Sequence, residues 1–199
     1  MDLPGGFYGI TDERYGSIES AKKLIEFGAK IIQYRCKYKS DREKFEEAKA
    51  IKEIIGNKDI IYIIDDRVDL AMIVKANGVH VGDKDIPVCE IRKIAPKDFI
   101  IGLSTHSIED VRKAKCCDYI GVGPVFFTTT KDDVRKPIGL DTAKKMVEIA
   151  NFPTYLIGGI KLENLKDIKH IKAHGFISVS DVLYNDKKHF EEMVSLWNN

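Results

Sequence analysis

Four aspartates, Asp65, Asp66, Asp83 and Asp85, lie in the stretch YIIDDRVDLAMIVKANGVHVGDKDIP, residues 62 to 87, each pair at or just beyond the end of a short apolar run. Carboxylates gathered at two neighbouring strand ends suit a divalent cation, because Mg2+ takes one or two carboxylates and keeps its other positions for water and phosphate oxygens. Asp66 and Asp85 are the candidate ligands. Each has an ordinary alternative: Asp66 could pair with Arg67 or cap a helix starting near Val68, and Asp85 could close the turn before Ile86 and Pro87. Upstream, QYRCK alternates, so Gln33, Arg35 and Lys37 share one face of a strand while Tyr34 and Cys36 take the other. A guanidinium and an ammonium on one face near a sheet end are costly to desolvate unless an anion arrives, and phosphate fits both geometries. The alternatives are a solvated Lys37 and an Arg35 paired with Asp66.

Further along, FFTTTKDD (126 to 133) offers the hydroxyls of Thr128, Thr129 and Thr130 beside Lys131. It reads as a lid or phosphate loop, with a plain surface loop as the alternative. Ser104 ends another apolar run, and Gly158, Gly159 and the SVSDV stretch (178 to 182) follow two more. A glycine pair and a helix start there allow backbone N–H groups to approach a phosphate closely. Two anion sites with one cation between them suggest two phosphorylated small molecules, one a diphosphate whose departure needs charge neutralisation. The five histidines form no ligand cluster, and no Ser-His-Asp or Cys-His arrangement supports covalent hydrolysis.

These groups need elements that bring them to one place. Eight apolar runs, at 7–11, 30–36, 60–65, 78–82, 99–105, 119–125, 154–159 and 175–180, alternate with segments of helical period. Continuous β-branched runs are what strands buried on both faces look like. SIESAKKLIEFGAK places Ile18, Ala21, Leu24 and Ile25 on one helical face with Gly28 as a stop, and Ser107 with Asp110 three residues later opens another helix. Eight β-α units of about 25 residues predict a single-domain TIM (β/α)8 barrel over residues 1–199, at the small end of its size range. A doubly wound open sheet is the competing arrangement. In a barrel the polar residues above fall at the C-terminal ends of the strands, the face that carries catalysis.

Composition narrows the partners. With 32 basic and 31 acidic residues the formal net charge is +1, so nothing draws the whole chain to nucleic acid or to an anionic membrane. No run of about 18 apolar residues occurs and the N-terminus lacks a basic, apolar leader, which predicts a cytoplasmic protein. Cys36, Cys89, Cys116 and Cys117 show no CxxC spacing, and adjacent Cys116 and Cys117 would form a strained bridge, so reduced thiols are expected. A homo-oligomer is compatible with the sequence, which does not set its order.

From YGITD (8–12) through QYRCK, IDDRVDLA (64–71), NGVHVGDKDIP (77–87), IIGLSTHS (100–107), YIGVGPVFFTTTK (119–131) and LIGGI (156–160) to SVSDV, the chain resembles the thiamine-phosphate synthase family. In-order matches over nearly the whole length are more specific than any single motif. The resemblance implies a transferase joining a pyrimidine methyl diphosphate to a thiazole phosphate, with Mg2+ held by Asp66 and Asp85. It implies that Gln33, Tyr34, Arg35, Cys36, Lys37, Asp65, Ser104 and Lys131 surround the pyrimidine diphosphate, Arg35, Ser104 and Lys131 acting in catalysis. It assigns Thr128, Thr129, Thr130, Gly159, Val179 and Ser180 to the thiazole phosphate. Three positions depart from the family pattern: Asp65 replaces an asparagine, Cys36 a glutamate, and FFTTTK a proline-bearing loop. A negative charge at Asp65 should repel a diphosphate, so Lys84 or the metal is expected to compensate. The related thiazole tautomerases carry a histidine at the position of Pro124 and have eroded basic residues. Pro124, Arg35, Lys37 and Lys131 favour the transferase over that group. A non-catalytic binder of phosphorylated ligands is the alternative from another class.

Overall fold

The computed structural model of the chain describes residues 3–128 and 136–199. Strands and helices alternate: β1 (Gly6–Ile10), α1 (Ser17–Glu26), β2 (Ile31–Tyr34), α2 (Asp41–Ile55), β3 (Ile61–Asp65), α3 (Val68–Ile73), β4 (Gly78–Val81) and α4 (Val88–Ile94). They continue with β5 (Ile100–Thr105), α5 (Ile108–Lys113), β6 (Tyr119–Val122), α6 (Leu140–Ile149), β7 (Thr154–Ile157), α7 (Leu162–Ile168), β8 (Gly175–Ile177), α8 (Ser180–Leu183) and α9 (Lys187–Asn198). The strands pair in sequence order, all parallel, and β8 pairs back onto β1 with Tyr8 opposite Ile177. That last pairing closes a (β/α)8 barrel and excludes the open sheet. All eight expected apolar runs became strands.

Period-two alternation divides the strand side chains between two cores. Ile31 and Ile63 point into the barrel with Tyr8, Ile10, Ile100, Tyr119, Tyr155 and Ile177. Their neighbours Ile32 and Ile64 point outward and pack under the helices, on Leu24 of α1 on one side and Ile51 and Ile55 of α2 on the other. Inside the barrel, Tyr155 meets Tyr8 and Tyr119 edge-on, at ring separations of 5.3 and 5.6 Å. Three tyrosines in an apolar barrel must each find a partner for the hydroxyl. Tyr155 donates to the Pro4 carbonyl at 2.6 Å, and the other two are tied to polar groups near the mouth.

The helix starts follow local chemistry. Ser40 caps α2 in a reciprocal pair with Glu43. Ser107 caps α5 by accepting from the Asp110 amide at 3.1 Å, while the Asp110 carboxylate reaches one residue further back, to the His106 amide.

One expectation is corrected. Cys89 of α4 and Cys116, beyond α5, form a disulfide with Cα atoms 5.2 Å apart, and only Cys36 and Cys117 are thiols. The pairing spans 27 residues and depends on two adjacent β-α units packing side by side, so short-range cysteine spacing carries no sign of it.

Candidate active site

The C-terminal end of β2 carries two cations. The Arg35 amide donates to Thr11 Oγ1 at 3.0 Å, which ties it to the end of β1. Glu13 then accepts from the Lys37 amide at 2.9 Å, the Tyr38 amide at 3.3 Å and Cys36 Sγ at 3.2 Å. One carboxylate thereby shapes the turn that presents Arg35 and Lys37. Opposite them stand the β3 carboxylates. Lys37 Nζ lies 2.8 Å from Asp65 and also bonds Asp66, and Arg35 Nε lies 3.6 Å from Asp65. Arg35 Nε is buried and has no hydrogen-bond partner among the described residues. A buried guanidinium N–H without an acceptor is a place where an anion gains more than it loses. Asp65 was expected to find its compensating charge in Lys84 or a metal; Lys37 and Arg35 both meet it.

Asp66 adopts φ of 60°, and its amide donates to the His80 carbonyl at 2.8 Å, which turns the side chain out of the strand. Arg67 does not engage it, being bound to Asp69 and Asp41, and the residue flanking α3 is Arg67 itself. Burial raises the Asp66 carboxyl to about 6, with Asp65 and Asp85 adding to the rise against the pull of Lys37. Asp85 spends one oxygen on the Gly82 amide at 2.7 Å, the turn-closing role, and has a second oxygen to offer. Acidic crowding of this kind is relieved by a cation, and a pair of carboxylates without a closed cage suits Mg2+. Among the described residues no three His, Cys, Asp or Glu side chains gather as a cage. The donor set fits the ion inferred from the sequence.

Ser104, at the end of β5, sits across the barrel mouth with Oγ 2.9 Å from His80 Nε2. Gln33 is buried, donates to Asp65 at 2.5 Å and accepts from Tyr8 at 2.7 Å. Two residues of the pyrimidine set are not brought to the mouth. Tyr34 points into the helix layer, where its hydroxyl donates to Glu47 of α2 at 2.9 Å, and Cys36 is turned to Glu13. The alternation that puts Arg35 and Lys37 at the site necessarily sends their neighbours elsewhere.

On the other side of the mouth, Gly158 and Gly159 have φ of 100° and 63°. A Cβ on Gly158 would lie 2.4 Å from Pro124, and one on Gly159 2.3 Å from the Phe127 carbonyl oxygen. Both glycines thus seat the β6–α6 connection on the end of β7, reinforced by Val125 and Phe126 amides donating to Ile157 and Gly158 carbonyls. Val179 precedes α8 with its side chain packed on the core, and Ser180 is exposed at the first position of that helix. Thr128 is half-buried at the end of the described part of the loop. Thr129, Thr130 and Lys131 lie outside the described residues.

A barrel with this set of strand-end residues invites comparison with known proteins. A family model described as thiamine monophosphate synthase matches residues 7–182. The chain belongs to that family. It is an enzyme of the transferase class. The thiamine-phosphate synthase of Caldicellulosiruptor saccharolyticus is 43% identical over 185 residues, covering 90% of this chain and 84% of that protein. The one from Persephonella marina is 41% identical, covering 100% and 98%. The solved structure of thiamine phosphate pyrophosphorylase from Pyrococcus furiosus superposes with a TM-score of 0.87 at 34% identity, over 97% of this chain and 95% of that one. A 3-hexulose-6-phosphate synthase at 16% identity and TM-score 0.72 shares the fold. No helix among the described residues is long and apolar enough to cross a membrane.

Within this family barrel, four residues that build the site carry no motif that singled them out: Glu13, which holds the basic turn, and Tyr8, Tyr119 and His80, which connect Gln33 to Ser104. For His80 a signal existed. In GVHV the alternation puts it on the opposite face from Val79 and Val81, and both valines pack under the helices.

Proposed function

We propose that the chain joins an aminopyrimidine methyl diphosphate to a thiazole phosphate, releasing diphosphate and forming thiamine phosphate. The observation that carries this reading is the meeting of Arg35, Lys37, Asp65 and Asp66 at adjacent strand ends, with Ser104 across the same mouth. Arg35 and Lys37 would hold the diphosphate, the first through the N–H that lacks an acceptor among the described residues, the second by leaving its carboxylates for phosphate oxygens. Asp66 and Asp85 would hold Mg2+, which supplies the remaining counter-charge to the diphosphate. Gln33 and Ser104 would read the pyrimidine ring.

In the reaction the bond from methylene carbon to diphosphate oxygen breaks, its electron pair leaves with the diphosphate, and the thiazole nitrogen supplies the pair for the new carbon–nitrogen bond. No side-chain nucleophile is needed. The protein's work is to stabilise the departing charge and align two rings. Lys131 and the three threonines complete this reading as the diphosphate and thiazole phosphate contacts that the family resemblance assigns to them.

The test is incubation with both phosphorylated substrates and Mg2+, with detection of thiamine phosphate and free diphosphate. Formation of both supports the proposal. Interconversion of thiazole isomers alone would make the chain a tautomerase, and tight binding without product would make it a binding protein.

A further inference from the structure

Six side chains form one unbroken hydrogen-bond line through the barrel interior, beneath the mouth. Asp65 accepts from Gln33 at 2.5 Å, and Gln33 accepts from Tyr8 at 2.7 Å. Tyr8 meets Tyr119 at 2.8 Å, Tyr119 meets His80 Nδ1 at 3.0 Å, and His80 Nε2 meets Ser104 at 2.9 Å. The line links β3, β2, β1, β6, β4 and β5, and its four inner members are at most 8% exposed. Its three inner links are buried away from water, and the two end links, at Asp65 and Ser104, are part-buried.

The number of protons on each group determines the direction of every bond. Asp65 is ion-paired with Lys37 and Arg35 and, as a carboxylate, has no proton to give, so Gln33 turns its NH2 to Asp65 and its carbonyl oxygen to Tyr8. Tyr8 has one proton and spends it on that oxygen, so Tyr119 must donate to Tyr8. Burial pushes both phenols above their ordinary range, so each keeps its proton. Tyr119 has then spent its only proton, and His80 must donate to it from Nδ1. When the imidazole is neutral, hydrogen on Nδ1 leaves a bare lone pair at Nε2, and Ser104 donates to it. The serine proton is directed inward and its lone pairs are left for the mouth.

We propose that Asp65 is a positioning residue that, through this line, sets the tautomer of His80 and holds Ser104 as a hydrogen-bond acceptor toward the substrate. The group that Ser104 meets is then a donor, such as an exocyclic amine or ring N–H of a heteroaromatic ring. That last consequence rests on the aminopyrimidine reading above; the order of donors does not. With asparagine at position 65 the constraint is lifted. Gln33 can rotate its amide, every link can reverse, and Ser104 can turn its proton to the mouth. Gly102 supports the continuity of the line: a Cβ there would lie 2.4 Å from both His80 Nδ1 and the Tyr119 hydroxyl, so only glycine leaves that link open.

The test is 15N NMR of histidine-labelled full-length protein near neutral pH without substrate, His80 being assigned through the His80→Gln variant. The wild type is expected to show a pyrrole-like Nδ1 and a pyridine-like Nε2. In Asp65→Asn, Nε2 shifts toward the pyrrole-like position as the second tautomer becomes populated, and Tyr8→Phe, which cuts the line but keeps Asp65, does the same. Lys37→Met removes an ion pair from the same carboxylate without touching the line and leaves the wild-type pattern. A wild-type His80 that carries its hydrogen on Nε2 or on both nitrogens overturns the proposal, as does an unaltered tautomer in Asp65→Asn. None of these readings depends on catalysis, so a failed turnover assay and a failed tautomer assay are separate results.

Discussion

Lys37 Nζ lies 2.8 Å from the Asp65 carboxylate while also bonding Asp66, so one ammonium is shared by two acids at the end of β3. Burial lowers the ammonium's proton affinity, but the two carboxylates outweigh it and the net shift is upward, so it stays charged at any physiological pH. Lys37→Ala is expected to weaken binding of inorganic diphosphate by about 10- to 100-fold, the effect of losing one hydrogen bond to a charged group. Titration calorimetry with diphosphate and Mg2+ checks this. Equal affinity in the variant would remove Lys37 from the anion site.

Arg35 is the more demanding case, because its Nε is buried without a hydrogen-bond acceptor among the described residues. Lysine keeps the charge but cannot reproduce the planar fork. Arg35→Lys should raise KM for the diphosphate substrate by roughly tenfold, about 1.4 kcal/mol, with a smaller change in kcat. Steady-state kinetics against that substrate, the thiazole phosphate being saturating, would separate the two constants.

Asp66 and Asp85 come from different strand ends and share the proposed ion. Either alanine variant should raise the Mg2+ concentration for half-maximal turnover by at least about tenfold, equivalent to ~1.4 kcal/mol of metal affinity. A Mg2+ titration of the rate at fixed substrate decides it. Wild-type activity at limiting Mg2+ in both variants would remove the two aspartates from the metal site.

Ser104 is held 2.9 Å from His80. Ser104→Ala should lower kcat by about a hundredfold, the low end for removing one preorganised hydrogen-bonding group from the reacting centre, with diphosphate affinity preserved. Single-turnover measurements of product formation test the first part and calorimetry the second.

Gly159 combines φ of 63° with a Phe127 carbonyl oxygen 2.3 Å from where a Cβ would sit. Gly159→Ala is expected to cost more than ~1 kcal/mol, lowering the melting temperature by at least about 2–4 °C for a chain of this size. Scanning calorimetry measures it. An unchanged melting temperature would mean that the β6–α6 connection moves aside at little cost.

The barrel is legible in the amino-acid sequence, because strands buried on both faces are continuous apolar runs, and eight of them separated by helical segments admit few closures. The placing of Arg35, Lys37, Asp66, Asp85 and Ser104 is legible too, since strand ends on one face of a barrel converge whatever the details. Alternation within QYRCK already opposes Tyr34 and Cys36 to Arg35, and in the structure Tyr34 bonds Glu47 and Cys36 bonds Glu13. The Gly158–Gly159 pair is visible as glycine, yet the atoms that require it belong to Pro124 and Phe127 on another connection.

By itself the sequence determined which segments are strands and, through alternation, that Arg35 and Lys37 share a face opposed to Tyr34 and Cys36, consequences of periodicity within a few residues. Only the tertiary structure decided that Lys37 is shared by Asp65 and Asp66, that Cys89 meets Cys116, and that Tyr8 meets Tyr119 across 111 residues to connect Asp65 with Ser104. The physical reason is reach. A side chain's face follows from local backbone geometry, whereas its partner across the barrel follows from the register of every strand between them and from closure of β8 onto β1.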